Sequence, residues 1–217
     1  MPENTGTSDL IAEYRTSSDL KNAWTRFTGN DHYRRLCILE THKSYQPEIR
    51  AFNAFVKFFR LIYAAGGLVR NEKGEYLFIH RYGYWDLPKG KIDAKDIPAG
   101  PGHAAGDLPA ALTAAIREVK EETGLDRVNV IRPLPATWHI YMLSEKYILK
   151  RTQWFEMEAD SGEPLNPDAG EGIILARWTS QESIRSILPQ TYASIRELLL
   201  EALFRNGLLG IGLESET

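Results

Sequence analysis

Residues 114–125 read AAIREVKEETGL, and this stretch carries the strongest signal in the sequence. Its glutamates, Glu118, Glu121 and Glu122, are spaced i, i+3 and i+4, so an α-helix would place all three on one face. Like charges at that spacing repel by about 0.2–0.5 kcal/mol per pair. A divalent cation such as Mg²⁺ or Mn²⁺ would reverse that cost, because it prefers carboxylate oxygens as ligands. The stretch therefore makes these glutamates candidate metal ligands.

The neighbouring charges allow a second interpretation of the same helix. Arg117 lies four residues before Glu121, and Lys120 lies directly before it, so a solvated acidic face partly neutralised by two cations is also compatible. The helix itself is predicted from about 109 to 123 and ends at Gly124. Only the surrounding sequence can decide between the two interpretations.

The remaining chain alternates predicted strands and helices. Periodicity and turn residues predict strands at 34–40, 61–69, 75–82, 127–143, 146–158 and 172–178, and helices at 20–27, 48–62, 181–188 and 190–204. Residues 84–93 contain Pro88 and Gly90 and are predicted to form a loop. The interleaving predicts an α+β or α/β fold in which helices pack on a mixed sheet.

Composition narrows the class of protein. The 217 residues include 26 Lys and Arg, 29 Asp and Glu, and 43% hydrophobic residues, which excludes a disordered chain. A net charge of −3 gives no indication of a nucleic-acid partner or of an anionic membrane. No stretch approaches the roughly 18 apolar residues of a membrane helix. The single Cys37 and an N-terminus without a secretory signal predict a cytoplasmic location.

The glutamate-rich stretch matches a known family. Residues 117–125 resemble the second half of the Nudix box, Arg-Glu-hydrophobic-x-Glu-Glu-x-Gly-hydrophobic. Upstream, WDLPKG at 85–90 resembles the entry to that box, and AAGGLV at 64–69 resembles the first strand of a Nudix domain. GIILARW at 172–178 resembles the closing strand. The resemblance implies a Nudix-type α/β/α sandwich with a central mixed sheet.

The same resemblance implies a division of the chain. Residues 61–207 are expected to form the Nudix domain, and residues 208–217 a C-terminal tail. Residues 1–60 are expected to form a small N-terminal α/β extension with a possible role in interactions.

The resemblance also implies a metal site. Glu118, Glu121 and Glu122, together with the main-chain oxygen of Gly90, are expected to bind Mg²⁺ or Mn²⁺. Arg117 is expected to orient a glutamate through a bidentate ion pair.

The general base is left open. It varies within the family, so that Glu121 in the box and Glu171 in the loop before the closing strand are both candidates, although Glu171 is equally compatible with an exposed loop acid.

The sequence departs from the family pattern in one respect. Gly90 and Arg117 are 27 positions apart where the pattern has 14, so the connection is 13 residues longer. Counting from Gly90, the conserved glutamate position of the pattern holds Asp96; counting back from Arg117, it holds Pro109. Asp96 or Asp107 could replace that glutamate, or its role could be vacant. The insertion is either a substrate gate or a neutral surface loop.

Candidate substrate contacts surround the motif. Lysines and arginines near the metal-binding glycine or on an adjacent strand could hold phosphates: Arg81, Lys89, Lys91 and Lys150. Aromatic residues upstream of the glycine could stack on a nucleobase, although a core position is the more common role for the tryptophan: Tyr82, Tyr84 and Trp85.

Two functions are compatible with these residues. The first is a metal-dependent hydrolase that cleaves a phosphoanhydride bond in a nucleoside diphosphate linked to another moiety, with a small nucleotide or polyphosphate as its partner. The second is a non-catalytic Nudix-fold module that binds a nucleotide as a regulatory signal. The apolar stripe Phe52, Phe55 and Phe59 is expected to cover either the chain's own core or a second copy in a homodimer.

Overall fold

The computed structural model describes residues 8–29, 33–40, 47–99 and 103–205. The chain divides into two compact units. One unit comprises Met1–Leu61 and Tyr141–Leu149, and the other comprises Ile62–Ile140 and Lys150–Thr217. The tail expected at 208–217 lies outside the described residues.

The smaller unit contains two strands and two helices. Strand β1, Ser8–Tyr14, pairs in parallel with β2, Tyr33–Glu40, and the helices are α1, Ser17–Thr28, and α2, Pro47–Val56. The strand at 8–14 was not predicted from the sequence. Helix α2 ends earlier than the predicted 62, because the chain is already extended from Arg60.

Aromatic side chains build the core of this unit. The ring of Trp24 packs edge-on against Phe55 at 5.5 Å and against Phe59 at 5.2 Å between centroids. Phe52, the third member of the predicted stripe, is 40% exposed. Phe55 and Phe59 therefore contribute to the unit's own packing.

The larger unit is organised around one mixed sheet. The strands of this sheet are β3 (Arg60–Arg70), β4 (Tyr76–Arg81), β5 (Tyr84–Asp86), β6 (Lys89–Lys91), β7 (Asn129–Leu143), β8 (Lys146–Glu158) and β9 (Ile173–Thr179). The ends of β3, β7 and β8 at residues 60–61, 141–143 and 146–149 are counted in the smaller unit. The order is β5-β4-β3-β8-β7, with β6 paired to β3 and β9 paired to β4. Strands β3 and β4 are antiparallel. Strand β8 runs parallel to β3: Gly66 lies against the ring of Trp154, and further along both strands the backbone N–H of Ala159 donates to the carbonyl of Arg70.

Helices cover both faces of the sheet. Alternation along β4 sends Leu77 and Ile79 to one face, where they share a core with α3, Leu108–Thr123. Tyr76 and Phe78 point to the other face, where they share a core with the helices α4, Gln181–Ile187, and α5, Ala193–Arg205. The predicted α+β sandwich is confirmed.

The prediction of a loop at 84–93 was wrong. Asp86 pairs with Ile79 of β4, and Gly90 pairs with Ala65 of β3, so this segment contributes two short strands to the sheet. Tertiary pairing outweighs the local preference of Pro88 and Gly90 for turns. In the described part of the chain, no helix is long and apolar enough to span a membrane.

Candidate active site

Strand β6 and helix α3 meet at Gly90. A Cβ on Gly90 would overlap the carboxyl group of Glu118, so only glycine allows this close approach. Pairing with β3 holds the glycine in place. The glycine-bearing bend and the first glutamate of the motif are thus brought together.

Glu122 is the most deeply buried carboxylate of the motif, with 2% of the residue exposed. Its Oε1 accepts a hydrogen bond from Arg81 Nη1 at 2.9 Å, and its Oε2 accepts one from the backbone N–H of Lys89 at 2.6 Å. Burial raises the pKa of Glu122 to about 7, although the charges of Arg81 and Lys89 oppose the shift. A buried anion of this kind gains from a nearby cation.

Arg117 forms a bidentate ion pair with Asp96. Its Nε and Nη2 donate to the two carboxylate oxygens at 2.9 and 2.7 Å, and Nη2 also donates to the carbonyl of Lys91 at 3.0 Å. Asp96 is 2% exposed, and hydrogen bonds from Arg117 lower the pKa of its carboxyl group. Asp96 thus pairs with the arginine across the lengthened connection. Asp107 instead precedes α3 and accepts the backbone N–H of Ala104 at 2.7 Å.

The same arginine contacts the other two glutamates. Arg117 Nη1 donates to Glu118 Oε1 and to Glu121 Oε2, both at 2.8 Å. Burial raises the pKa of Glu118, whereas the side chain of Glu121 is half exposed and lies 3.9 Å from Lys95 Nζ. Arg117 therefore fixes one oxygen of each carboxylate.

Asp86 belongs to this site and was missed in the sequence. It is fully buried, pairs with Arg81 at 3.3 Å and with Lys89, and accepts the backbone N–H of Leu87 at 2.8 Å. Its position directly before Leu87-Pro88 was the available signal, because an acid in an otherwise apolar segment needs buried partners. With Glu122, Asp86 neutralises two of the predicted phosphate-binding cations.

Lys150 is a third cation beside this pair. Burial lowers the pKa of Lys150 to about 8, and the charges of Lys89 and Arg81 contribute in the same direction. Among the described residues, no carboxylate forms a salt bridge with Lys150. Burial lowers the pKa of His139, and the positive charge of Lys150 lowers it further. Lys91, by contrast, is exposed and meets Arg117 only through its carbonyl.

Glu171 lies in a short turn, Ala169–Glu171, directly before β9. The residue is exposed, and after burial and the charge of Glu121 its negative charge also contributes to raising the pKa of Glu118. The carbonyl of Glu171 accepts a hydrogen bond from the hydroxyl of Tyr82 at 3.5 Å.

The predicted aromatic contacts divide into two groups. Trp85 is buried in the core, with Arg177 4.2 Å above its ring, which leaves no face for a base. Tyr84 is exposed and stacks on Tyr192 with 4.9 Å between ring centroids. Tyr192 was not singled out in the sequence, since its proximity to β5 arises only from tertiary folding.

The residues fit a hard divalent cation by their chemistry. Glu118 keeps its Oε2, which lies beside the Gly90 backbone, clear of Arg117, and Glu121 keeps its Oε1 clear of the same arginine. An all-oxygen donor set suits Mg²⁺ or Mn²⁺. As placed within the described ranges, however, no three acidic, histidine or cysteine side chains form a group that could hold an ion. Arg117 and Arg81 take up part of the carboxylate charge instead.

Comparison with known proteins identifies the family. A sequence profile of the NUDIX domain matches residues 60–202. No curated protein sequence matches the chain. Among solved structures, the E. coli dihydroneopterin triphosphate pyrophosphohydrolase is similar at 14% identity and a TM-score of 0.50, over 68% of this chain and 98% of that one. A C. elegans Ap4A hydrolase in a binary complex is similar at 21% identity and a TM-score of 0.47, over 67% and 98%.

At 14% identity, the similarity to the E. coli enzyme supports the fold alone, and the profile match shows the family. That match spans about two thirds of the chain and contains the whole glutamate motif, as the resemblance predicted. This protein belongs to the Nudix family and is a pyrophosphohydrolase.

Proposed function

We propose that the enzyme hydrolyses a phosphoanhydride bond in a nucleoside diphosphate linked to another moiety, such as a dinucleoside polyphosphate, a nucleoside triphosphate or a nucleotide sugar. One observation carries the proposal. Glu118 and Glu122, one helical turn apart, are both drawn against the backbone of β6, at Gly90 and at Lys89. Oxygen donors of helix and strand are thereby concentrated next to cationic side chains.

In this proposal Glu118, Glu121, Glu122 and the carbonyl of Gly90 hold Mg²⁺ or Mn²⁺. A bound ion supplies neutralisation of the phosphoryl oxygens and activation of water. Arg117, fixed by its ion pair with Asp96, keeps the carboxylates of the helix oriented.

Cations of the sheet would hold the phosphate chain. Lys150 is the strongest candidate, since it is partly buried and no carboxylate among the described residues forms a salt bridge with it. Arg81 and Lys89 already pair with Asp86 and would contact phosphates as members of that cluster. Exposed Lys91 is the weakest of the four.

Glu121 and Glu171 both remain candidates for the general base. Each retains solvent contact and can accept a proton from an attacking water.

Exposed Tyr84 is the candidate stacking partner for a nucleobase. We also propose a cytoplasmic location. Gel filtration would decide between a monomer and a homodimer.

The substitution Glu122→Gln tests the proposal, because it keeps the side-chain shape and removes the charge. Turnover of diadenosine tetraphosphate, ATP and ADP-ribose is measured with Mg²⁺ or Mn²⁺ and with EDTA. We expect a loss of at least about 1000-fold on the best substrate of wild type, with a circular dichroism spectrum like that of wild type. Glu197→Gln, in an exposed glutamate of α5, is the matched control. Wild-type turnover by Glu122→Gln would refute the proposed site.

A further inference from the structure

The turn between β4 and β5 carries a tyrosine at a position that favours asparagine, aspartate or glycine. Arg81 pairs with Tyr84, so Tyr82 and Gly83 form a two-residue turn with φ values of +51° and +82°. Positive φ at both positions defines a type I′ turn, in which a bulky side chain is strained. Tyr82 is 74% exposed, so burial of its ring does not offset that strain.

Sheet register places this tyrosine against the loop before β9. Arg81 lies opposite Ile173 after a bulge at the end of β4, so the next residue of the hairpin meets the residue that precedes β9. Atoms of the Tyr82 ring and hydroxyl lie 3.0 Å from where a Cβ on Gly172 would stand. The hydroxyl also donates to the carbonyl of Glu171 at 3.5 Å. Tyr82 therefore covers the end of the loop that carries Glu171.

The other end of that loop, which we call the Glu171 loop (residues 166–172), is fastened to α3. The backbone N–H of Asn166 donates to the carbonyl of Thr123 at 2.8 Å, and that of Asp168 donates to the carbonyl of Glu122 at 3.4 Å. Both accepting carbonyls belong to the C-terminal end of α3. The loop is thus held by the helix on one side and by the tyrosine on the other.

We propose that Tyr82 is a positioning residue that holds the Glu171 loop, and with it Glu171, beside the C-terminal end of α3. The inference rests on the proposed function, within which it assigns the general-base role to Glu171. Strained residues persist where the surrounding structure needs their geometry, and they cluster at active sites. Here the strained residue contacts the loop at Gly172, whose own φ of +72° leaves that glycine no strain-free substitute.

The variant Tyr82→Asn separates positioning from turn formation, because asparagine suits the turn and removes the ring. On whichever of diadenosine tetraphosphate, ATP and ADP-ribose is hydrolysed fastest, we expect kcat to fall at least about tenfold while KM is unchanged. The melting temperature should stay equal or rise. Tyr82→Phe keeps the ring over Gly172 and should retain nearly all of the wild-type kcat.

A double-mutant cycle with Glu171→Gln shows whether the tyrosine acts through the glutamate. If it does, adding Tyr82→Asn to Glu171→Gln produces no further loss of kcat. The inference is overturned by a wild-type kcat in either single variant, by losses that multiply in the double variant, or by a lowered melting temperature that accounts for the loss. A failure of the proposed function appears separately, as turnover by Glu122→Gln.

Discussion

Each end of the large sheet carries an ion pair between an arginine and an acidic residue, which is largely buried at one end and exposed at the other. At the end that holds the glutamate motif, Arg117 and Asp96 are 16% and 2% exposed at the side chain. At the other end, the ion pair of Arg70 and Glu158 is 37% and 48% exposed and lines an open cavity of about 1130 Å³. The open cavity therefore indicates one end of the sheet as a functional site, whereas the buried charges indicate the other end.

Charge burial is the better indicator of chemistry here. Exposed ion pairs are screened by water and cost little to lose, so the pair of Arg70 and Glu158 does not by itself mark a functional site. Burying Asp86, Asp96 and Glu122 is costly unless specific partners are supplied, and the fold supplies them with arginines and lysines. Perturbed and buried ionisable groups of this kind cluster at functional sites. Matched substitutions at the two ends of the sheet test this difference.

The largest difference is expected for glycine. Gly90→Ala places a methyl group on the carboxylate of Glu118, so the glutamate must move away from β6. We expect kcat/KM for the best panel substrate to fall by about 100-fold and Mg²⁺ binding, measured by titration calorimetry, to weaken. Gly162→Ala is the control at the other end, since its methyl meets only the flexible side chain of Asp160 at 3.1 Å and should leave kcat/KM unchanged. Equal activities of the two variants would contradict the proposed site.

The helix of this site was predictable from sequence, because its register is local. Apolar spacing, the glutamate pattern and a terminal glycine together define α3, which ends at Thr123 with Gly124 in the left-handed conformation. The two faces of β4 were predictable for the same reason. Strand periodicity needs no knowledge of the neighbours.

The partner of Arg117 was not predictable in this way. Asp96 and Asp107 are both within reach of the lengthened connection, and only the short turn Ala94–Asp96 packed near α3 selects the first. Asp86 and Tyr192 likewise enter the site through long-range pairing. Such contacts depend on how the sheet closes, which local patterns do not encode.

A smaller but clear difference is expected for the ion pairs. Asp96→Asn removes the carboxylate charge that receives two hydrogen bonds from Arg117, which then keeps Glu118 and Glu121 as partners. Since a hydrogen bond to a charged group contributes about 1.5 kcal/mol or more, we expect the free energy of unfolding to fall by about 3 kcal/mol in urea denaturation. Glu158→Gln, which breaks the exposed pair with Arg70, should cost less than about 1 kcal/mol.

The pH dependence of the Asp96 effect follows from its lowered pKa. The contribution of this carboxylate is present above its unfolded pKa of about 4 and is lost as pH falls through the lower folded value. The stability difference between wild type and Asp96→Asn should therefore shrink below about pH 4. A difference that is constant with pH, or a cost no larger than that of Glu158→Gln, would remove the distinction between the two ends.

The smallest effect concerns Lys150, whose substitution should stabilise the protein and weaken substrate binding. Removing this partly buried charge with Lys150→Met should raise the free energy of unfolding by about 2 kcal/mol at pH 7 and raise KM about tenfold. Because burial lowers the folded pKa to about 8, well under the unfolded value of about 10.4, the folded protein releases its proton first as pH rises. Wild type then recovers stability, and the advantage of the variant should vanish above about pH 10. Lys120→Met, at an exposed lysine beside the open cavity, should change neither KM nor this pH profile. If Lys150→Met is less stable than wild type at pH 7, the lysine is not held at a cost to the fold, and the case for a phosphate contact at that position loses its physical basis.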